Sequence, residues 1–303
     1  MSRILFSVAV ALLAVGQAAP KPSEQIRVPS NRGFGRAVVI GRDLYYFGGG
    51  SDQIDLLDTE RGRWSRMPLG ISSQQLLGDQ IDGRLYVLDT FSRRLVRLDP
   101  QTGRVRELSK SPTRRVNGTL IAVGKLLYVI GGYTDDVTAA NCVAVYDSEA
   151  DRWSNGPPLP GYRPRDHFHA AAVLAGKLHV VGGLLADDRG QPHWRLDGDR
   201  WTACAEPPLH AMWKHAALVA AAGKLYLIAP HPGSPNNQSI EAEHEIHAYD
   251  PAADQWSPVG RTPEGMPVGL FAQAVVGDKI YLLGGSASKS VYVFDTSTKT
   301  WNR

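Results

Sequence analysis

The fold is decided by a short stretch, Leu127-Tyr128-Val129-Ile130-Gly131-Gly132, in which an apolar strand ends in two glycines. The same pattern recurs elsewhere, each time after a second apolar strand and a glycine turn. The other copies are Leu44-Tyr45-Tyr46-Phe47-Gly48-Gly49, Leu178-His179-Val180-Val181-Gly182-Gly183 and Ile280-Tyr281-Leu282-Leu283-Gly284-Gly285. In two further units, Asp89-Thr90 and Ala229-Pro230 replace the diglycine. A unit of roughly 45 residues, present six times, predicts a fold of repeated supersecondary units.

A second signal follows the diglycine strand, and in four of the six units an aspartate precedes a tryptophan by six residues. The pairs are Asp58 and Trp64, Asp147 and Trp153, Asp250 and Trp256, and Asp295 and Trp301. After Asp99 the tryptophan position holds Val105, and the fourth unit shortens the spacing to that between Asp197 and Trp201. The spacing predicts a hairpin in which the aspartate accepts hydrogen bonds from its own turn. The tryptophan is then expected to pack between neighbouring units.

Together, the diglycine strand, the aspartate and the tryptophan resemble the kelch repeat. The resemblance covers about residues 30–303 and implies an all-β fold, a six-bladed β-propeller of four-stranded antiparallel blades. We expect the propeller to occupy residues 25–303 after a short linker at 19–24. Because a propeller must close its ring, the segment Gln25-Ile26-Arg27-Val28-Pro29 is expected to complete the outer strand of the last blade.

The first 18 residues have the pattern of a signal peptide, with Arg3, an apolar stretch from Ile4 to Val15 and the small-residue site Gly16-Gln17-Ala18. This predicts an exported protein, periplasmic or secreted, without a membrane span. Acidic and basic residues are interspersed and the formal net charge is +3, so we expect no nucleic-acid partner. We expect a monomer.

In the predicted blades, the starts of the inner strands, the loops between the second and third strands, and the crossovers between blades gather on one face around the channel. We call this the channel-mouth face. All nine histidines lie between His167 and His247, in units four and five, which is the strongest compositional asymmetry in the chain. The predicted ligand-binding residues on this face are Arg165, His167, Trp213, Lys214, His231, Arg32 and Arg114.

Two functions from different classes fit this pattern. The favoured one is a non-enzymatic binding module that holds a carbohydrate or an acidic partner at blades four and five, because arginine forks match carboxylates. The alternative is a sugar isomerase that uses the same face, similar to N-acetylneuraminate epimerase, another propeller with kelch-like blades. A copper oxidase similar to galactose oxidase is not expected, since Cys142 and Cys204 are predicted to lie away from the channel axis.

Metal binding has no tight ligand spacing to support it. His167, His169, His231 and His244 with Glu241 or Glu243 offer suitable groups, but scattered histidines bonded to backbone or water explain them as well. His179 and His247 are expected in the core or between blades. We therefore predict no metal and no cofactor. Cys142 and Cys204 form a disulfide only if their Cα atoms come within about 7 Å, and the repeat places them on neighbouring blades and different strands.

Overall fold

The fold is seen in a computed structural model, which describes residues 26–134, 143–162, 169–183, 192–208, 216–230, 244–263, 266, 271–284 and 289–302. The described residues form 24 strands in six separate four-stranded antiparallel sheets. The innermost strands of these sheets contact one another in sequence, and the innermost strand of the first sheet contacts that of the last. The predicted six-bladed propeller is therefore confirmed. Among the described residues, none forms a helix with the length and apolar character required for a membrane span.

Within each blade, chain order and spatial order agree, so the first strand is innermost and the fourth outermost. Blade 1 contains β1 (Arg36–Ile40), β2 (Asp43–Phe47), β3 (Gln53–Asp58) and β4 (Arg63–Pro68). Blade 2 contains β5 (Leu76–Ile81), β6 (Arg84–Asp89), β7 (Leu95–Asp99) and β8 (Arg104–Leu108). Blade 3 contains β9 (Thr119–Val123), β10 (Leu126–Ile130), β11 (Val143–Asp147) and β12 (Arg152–Asn155).

The second half of the chain repeats this arrangement. Blade 4 contains β13 (Ala170–Leu174), β14 (Lys177–Val181), β15 (His193–Asp197) and β16 (Arg200–Cys204). Blade 5 contains β17 (Ala217–Ala221), β18 (Lys224–Pro230), β19 (His244–Asp250) and β20 (Gln255–Arg261). Blade 6 contains β21 (Phe271–Val276), β22 (Lys279–Gly284), β23 (Val291–Asp295) and β24 (Thr300–Asn302).

The ring closes in blade 6, where both ends of the described chain meet β23. The strand β24 pairs with Val293–Asp295. Further along the same edge, Arg27 forms an antiparallel bridge with Ser290. The backbone N–H of Val28 donates to the Lys289 carbonyl at 2.8 Å, and its side chain is 1% exposed. The N-terminal segment thus extends the outer strand of the last blade, as expected from the sequence.

The hydrophobic core is divided into clusters that lie between neighbouring blades rather than within one blade. The described residues form six such clusters, one at each blade boundary. Each repeat tryptophan packs against the boundary with the preceding blade; Trp153, for example, packs beside Tyr146 and Tyr86. Its indole N–H donates to the Ser109 carbonyl at 2.7 Å. Trp201, Trp256 and Trp301 donate in the same way to Pro157, Ala205 and Arg261.

The aspartate hairpins also form as predicted. In blade 2, one carboxylate oxygen of Asp99 accepts from the backbone N–H groups of Gln101 and Thr102 at 3.0 and 3.2 Å. Four other aspartates do the same, namely Asp58, Asp147, Asp250 and Asp295. In the shortened hairpin of blade 4, Asp197 instead accepts from Arg195 and Lys177. These hairpins lie at the opposite end of each blade from the channel-mouth face.

We predict that Trp153→Ala lowers the free energy of unfolding by about 3 kcal/mol, because it removes a large interblade side chain and a hydrogen bond. Val105 occupies the equivalent position in blade 2 but is 40% exposed. The control Val105→Ala should therefore change stability by less than about 0.5 kcal/mol. Chemical denaturation measures both. Equal effects of the two substitutions would contradict the interblade role of the tryptophans.

Candidate functional site

The channel-mouth face is shaped by the diglycines. In blade 1, a Cβ on Gly49 would lie 2.9 Å from the Cα of Arg32, and in blade 3 a Cβ on Gly132 would lie 2.9 Å from the backbone of Arg115. Both glycines also have positive φ, 62° and 89°. The crossover that enters a blade therefore lies directly on the turn that leaves its second strand, which only glycine permits.

Of the predicted ligand-binding residues, five lie outside the described residues, namely Arg165, His167, Trp213, Lys214 and His231. Arg32 and Arg114 are described, and both lie on the crossovers of the channel-mouth face. Arg32 is buried, whereas Arg114 is exposed.

The histidines considered as metal ligands include two described ones, His169 and His244, which are 5% and 1% exposed.

Arg32 is buried in an ion pair rather than presented to a ligand. It is 2% exposed, and its guanidinium donates to the carboxylate of Asp55 at 2.8 Å and to the Gly48 carbonyl at 2.9 Å. Asp55 is completely buried, which by itself would raise its pKa. Hydrogen bonds from Ser30, Arg32 and Arg66 outweigh this effect and hold the pKa of Asp55 below its ordinary value. Arg32, predicted as a ligand-binding residue, is therefore buried and paired with Asp55 in this structure.

Arg114 is exposed and lies on the rim of a shallow depression between blades 2 and 3. Its guanidinium carbon lies 5.7 Å from the ring centroid of Phe91. The depression is lined by Phe91, Ser92, Arg93, Lys110, Pro112, Thr113, Arg114 and Thr134. We call it the Phe91 depression. Among the described residues that line it, three side chains carry a positive charge and none carries a negative one, which favours an anionic partner.

The Phe91 depression exists because blade 2 departs from the repeat. Asp89 replaces the first glycine of the diglycine, and its carboxylate accepts from the Phe91 N–H at 3.0 Å and from the Ser92 hydroxyl. This Asx turn holds Phe91 outward, where it is 43% exposed. The guanidinium of Arg93 then donates a hydrogen bond of 2.9 Å to the carbonyl of Pro112, which lies on the crossover to blade 3. The loop that presents Phe91 is thus fixed from both sides.

A second exposed aromatic lies close by on blade 3. Tyr133, which follows the diglycine of that blade, is 39% exposed, and the next residue, Thr134, lines the Phe91 depression. Among the described residues, Phe91, Tyr133 and Val105 are the exposed large hydrophobic side chains. Two of the three, Phe91 and Tyr133, therefore lie on the channel-mouth face of adjacent blades, and Arg114 lies over the Phe91 ring.

The central channel has a volume of about 430 Å³ and is lined by all six innermost strands. Of the described residues that line it, Arg36 and Asp79 carry charged groups. Asp79 accepts from the backbone N–H groups of Gln80 and of Ala122 on the next blade, both at 2.7 Å. Burial raises its pKa to about 6 against these hydrogen bonds. Arg36 donates to the Gly35 carbonyl at 3.3 Å, and burial lowers its pKa.

The repeat itself contained a signal for Asp79. In the ladder register, Asp79 stands where other innermost strands carry Val38, Ile121, Ala172, Val219 and Ala274. An acid at an otherwise aliphatic position of an innermost strand identifies a channel group, and Asp79 was not among the predicted ligand-binding residues. Phe91 could have been found in the same way, from the loss of the diglycine at Asp89-Thr90.

A family model described as the KLHDC2/KLHL20/DRC7 Kelch-repeats domain matches residues 73–285, which is more than half of the chain. The chain belongs to the kelch-repeat family. A second model, the Kelch motif, matches residues 269–303. The kelch repeats therefore include blades 2 to 6 by sequence as well as by structure.

Individual kelch relatives are distant. The chain is 27% identical over 239 residues to Kelch-like protein 25 of Xenopus tropicalis, covering 74% of this chain and 38% of that protein. It is 29% identical over 173 residues to Kelch-like protein terF of Aspergillus terreus, covering 50% of this chain and 35% of that protein. The chain thus spans little more than a third of the length of these Kelch-like relatives.

Two further likenesses cover most of the kelch chain. It is 25% identical over 312 residues to N-(sulfonatooxy)prop-2-enimidothioate sulfolyase of Thlaspi arvense, covering 91% of this chain and 80% of that protein. The solved structure of YjhT superposes with a TM-score of 0.72 at 15% identity, covering 91% of this chain and 99% of that one. At this identity the structural likeness supports the propeller fold alone.

We predict that Arg32→Gln lowers the free energy of unfolding by about 3 kcal/mol, because it removes the buried guanidinium that donates two hydrogen bonds to the buried Asp55 carboxylate. Arg114→Gln, on the exposed rim, should change it by less than about 0.5 kcal/mol. Urea denaturation at neutral pH measures both variants. If Arg32→Gln were as stable as the wild type, the assignment of Arg32 to a structural ion pair would be wrong.

The raised pKa of Asp79 predicts a pH-dependent contribution to stability. Because its pKa in the folded chain, about 6, lies above the ordinary 3.8, the folded state takes up a proton first as the pH falls. The contribution of Asp79 to the free energy of unfolding therefore rises as the pH is lowered from about 7 to about 4. We expect the melting temperature of Asp79→Asn, measured across that pH range, to lack the increase that Asp79 gives the wild type. Identical pH profiles for the two proteins would contradict the assignment.

Proposed function

We propose that this kelch propeller is a protein-interaction module that binds an acidic segment of a partner protein on its channel-mouth face. The observation that carries the proposal is the Phe91 depression, where the exposed ring of Phe91 lies beside three cationic side chains. Tyr133, a second exposed aromatic residue, precedes the lining residue Thr134 on blade 3. Aromatic and arginine side chains dominate the binding energy of protein interfaces. The family membership also supports it, because kelch domains generally act as protein-interaction modules.

The rigid construction of the depression supports binding by a preformed surface. The loop of Phe91 is held by Asp89 on one side and, through Arg93, by the Pro112 carbonyl on the other. A partner that docks there need not order the loop, so less conformational entropy is lost on binding. Arginine at the rim adds charge-assisted hydrogen bonds to carboxylates.

The proposal also includes blades 4 and 5, where Arg165, His167, Trp213, Lys214 and His231 were predicted to bind a carbohydrate or an acidic partner. These residues lie outside the described residues, so their support is the concentration of histidine and additional tryptophan in the sequence. We propose a peptide rather than a carbohydrate as the first ligand class because the described aromatic and cationic groups lie together on blades 2 and 3. Export from the cytoplasm remains part of the proposal through residues 1–18.

One observation favours the isomerase alternative, namely the presence of Asp79 with a pKa of about 6 in a channel that also contains Arg36. Such a carboxyl group is suited to proton transfer near neutral pH, and the arginine is suited to an anionic substrate. Both oxygens of Asp79, however, already accept backbone N–H groups from two blades. This arrangement stabilises the free edges of β5 and β9, so we keep catalysis as the second candidate.

The binding proposal is tested with fluorescent peptides that carry aspartate and glutamate around one apolar residue, compared with their asparagine and glutamine analogues. We expect the acidic peptides to bind and their affinity to fall as the salt concentration rises. Phe91→Ala and Arg114→Glu should each weaken binding by about tenfold, or about 1.4 kcal/mol. Fluorescence anisotropy provides the dissociation constants.

The matched control is Arg104→Glu, which reverses an exposed charge at the hairpin end of the same blade, away from the channel-mouth face. It should leave binding unchanged. Failure of every acidic peptide to bind, or equal weakening by Arg104→Glu, would reject the site. A sugar that raises the melting temperature of the wild type, but not of Trp213→Ala or His167→Ala, would instead support a carbohydrate site on blades 4 and 5.

A further inference from the structure

Two histidines and one cysteine meet on the side of blade 4 that faces blade 5. His179 lies on β14, His193 on β15 and Cys204 on the outermost strand β16. His193 is the cross-strand partner of Cys204 and also of Val181, two residues after His179. All three side chains therefore project from the same face of the sheet. We call them the His–His–Cys trio.

The equivalent positions in other blades are occupied by packing residues. At the position of His179, the other five blades carry tyrosine: Tyr45, Tyr86, Tyr128, Tyr226 and Tyr281. At the position of His193, the register gives Leu95, Val143, Ile246 and Val291. Leu108 and Gly260 pair with Leu95 and Ile246 as Cys204 pairs with His193. Blade 4 thus replaces packing residues with metal-ligand types at three adjoining positions.

In blade 2 the three equivalent positions are occupied by residues that serve only in packing. Tyr86, Leu95 and Leu108 belong to one hydrophobic cluster at the boundary with blade 3. None of the three is more than 9% exposed. The interblade space is therefore filled adequately by apolar groups, and packing alone does not call for two imidazoles and a thiol. Burying polar groups there has a free-energy cost unless their lone pairs and protons find partners.

The geometry of the trio suits a small metal ion. The Nδ1 atom of His179 lies 2.9 Å from the Nε2 atom of His193. One ligand atom from each of the three side chains lies within 4.8 Å of the other two. Nitrogen and sulfur ligands at tetrahedral zinc distances are separated by roughly 3.3–3.6 Å. Small side-chain adjustments therefore bring all three donors to one ion.

The surroundings fix His193 in the orientation that a ligand needs. Its other ring nitrogen, Nδ1, lies 3.2 Å from the Ala205 carbonyl, which also accepts from the Trp256 indole. An N–H to carbonyl contact of this kind orients metal-bound histidines, because it places the lone pair on the opposite nitrogen. The ring also packs edge-on against Tyr249, with centroids 4.6 Å apart. Tyr249 itself donates to Asp254 at 2.7 Å.

The protonation states are compatible with binding. Burial lowers the pKa of both His179 and His193 to about 4, so both rings are neutral at neutral pH. Without an ion, Nδ1 of His179 donates its proton to Nε2 of His193, so ion binding requires that proton to move to the other ring nitrogen of His179. Burial raises the pKa of the Cys204 thiol, so an arriving ion must displace its proton. Cys204 is a free thiol and is only partly buried, and its place on the outermost strand gives the ion a path from solvent.

We propose that His179, His193 and Cys204 form a binding site for a zinc-class divalent ion between blades 4 and 5, with the fourth position open to water. Imidazole and thiolate together favour zinc over the oxygen-preferring magnesium and calcium ions. The site differs from the metal candidates considered in the sequence, which involved the channel-mouth face. It lies within the wall of the propeller and crosslinks the three outer strands of blade 4.

The test uses the full chain, freed of metal with a chelator and titrated with Co²⁺ as a spectroscopic substitute for zinc. We expect one equivalent to produce a cobalt–thiolate charge-transfer band, and Zn²⁺ to abolish it by displacement. Zn²⁺ should also raise the melting temperature and protect Cys204 from alkylation, measured by mass spectrometry of the modified peptide. The absence of both the band and the protection in the folded wild type would overturn the proposal.

The matched variants take their residues from blade 2, so that each position receives a side chain the repeat already accommodates. These are His179→Tyr, His193→Leu and Cys204→Leu. Each should bind Co²⁺ at least about tenfold more weakly, and Cys204→Leu should lack the thiolate band entirely. Cys142→Ser serves as the thiol control and should keep the band. A band that persists in Cys204→Leu, or disappears in Cys142→Ser, would contradict the assignment to the trio.

Discussion

Interblade burial is the interaction on which the rest of this structure depends. A four-stranded sheet cannot cover either of its own faces, so each blade buries apolar side chains only against its two neighbours. The six core clusters accordingly lie at blade boundaries, and the ring has to close for the first and last blades to be covered. Val28 contributes to this closure from the N-terminal side of the chain, within the cluster that joins blades 6 and 1.

The same constraint separates the parts of the chain that must repeat from those that are free to differ. Residues that face a neighbouring blade follow the repeat, as the tryptophans and their carbonyl partners do. Turns on the channel-mouth face differ more between blades, and in blade 2 Asp89-Thr90 replaces the diglycine and presents Phe91. Sequence changes in the loops of the channel-mouth face thus alter the surface with little effect on the core. Binding residues are usually found on such loops of a rigid scaffold.

Polar residues in the interior of the propeller have a different requirement from those in the loops. A polar group between blades is stable only when it is paired, as Arg32 is by Asp55 and Asp79 is by two backbone N–H groups. The His–His–Cys trio follows the same rule through a hydrogen bond between the two rings and one to the Ala205 carbonyl. It differs in bringing three metal-ligand side chains within 4.8 Å of one another, which is the physical basis for the metal proposal.

By itself the sequence determined the number of blades, the four-strand unit, the aspartate hairpins, the interblade tryptophans and the closure through Arg27 and Val28. These features are predictable because each rests on local spacing that recurs along the chain. Only the tertiary structure decided that Arg32 is buried on Asp55 while Arg114 is exposed, since their positions before the inner strands look alike in sequence. It also brought together His179, His193 and Cys204, which are separated in the chain and meet because cross-strand register and the facing blade place them side by side.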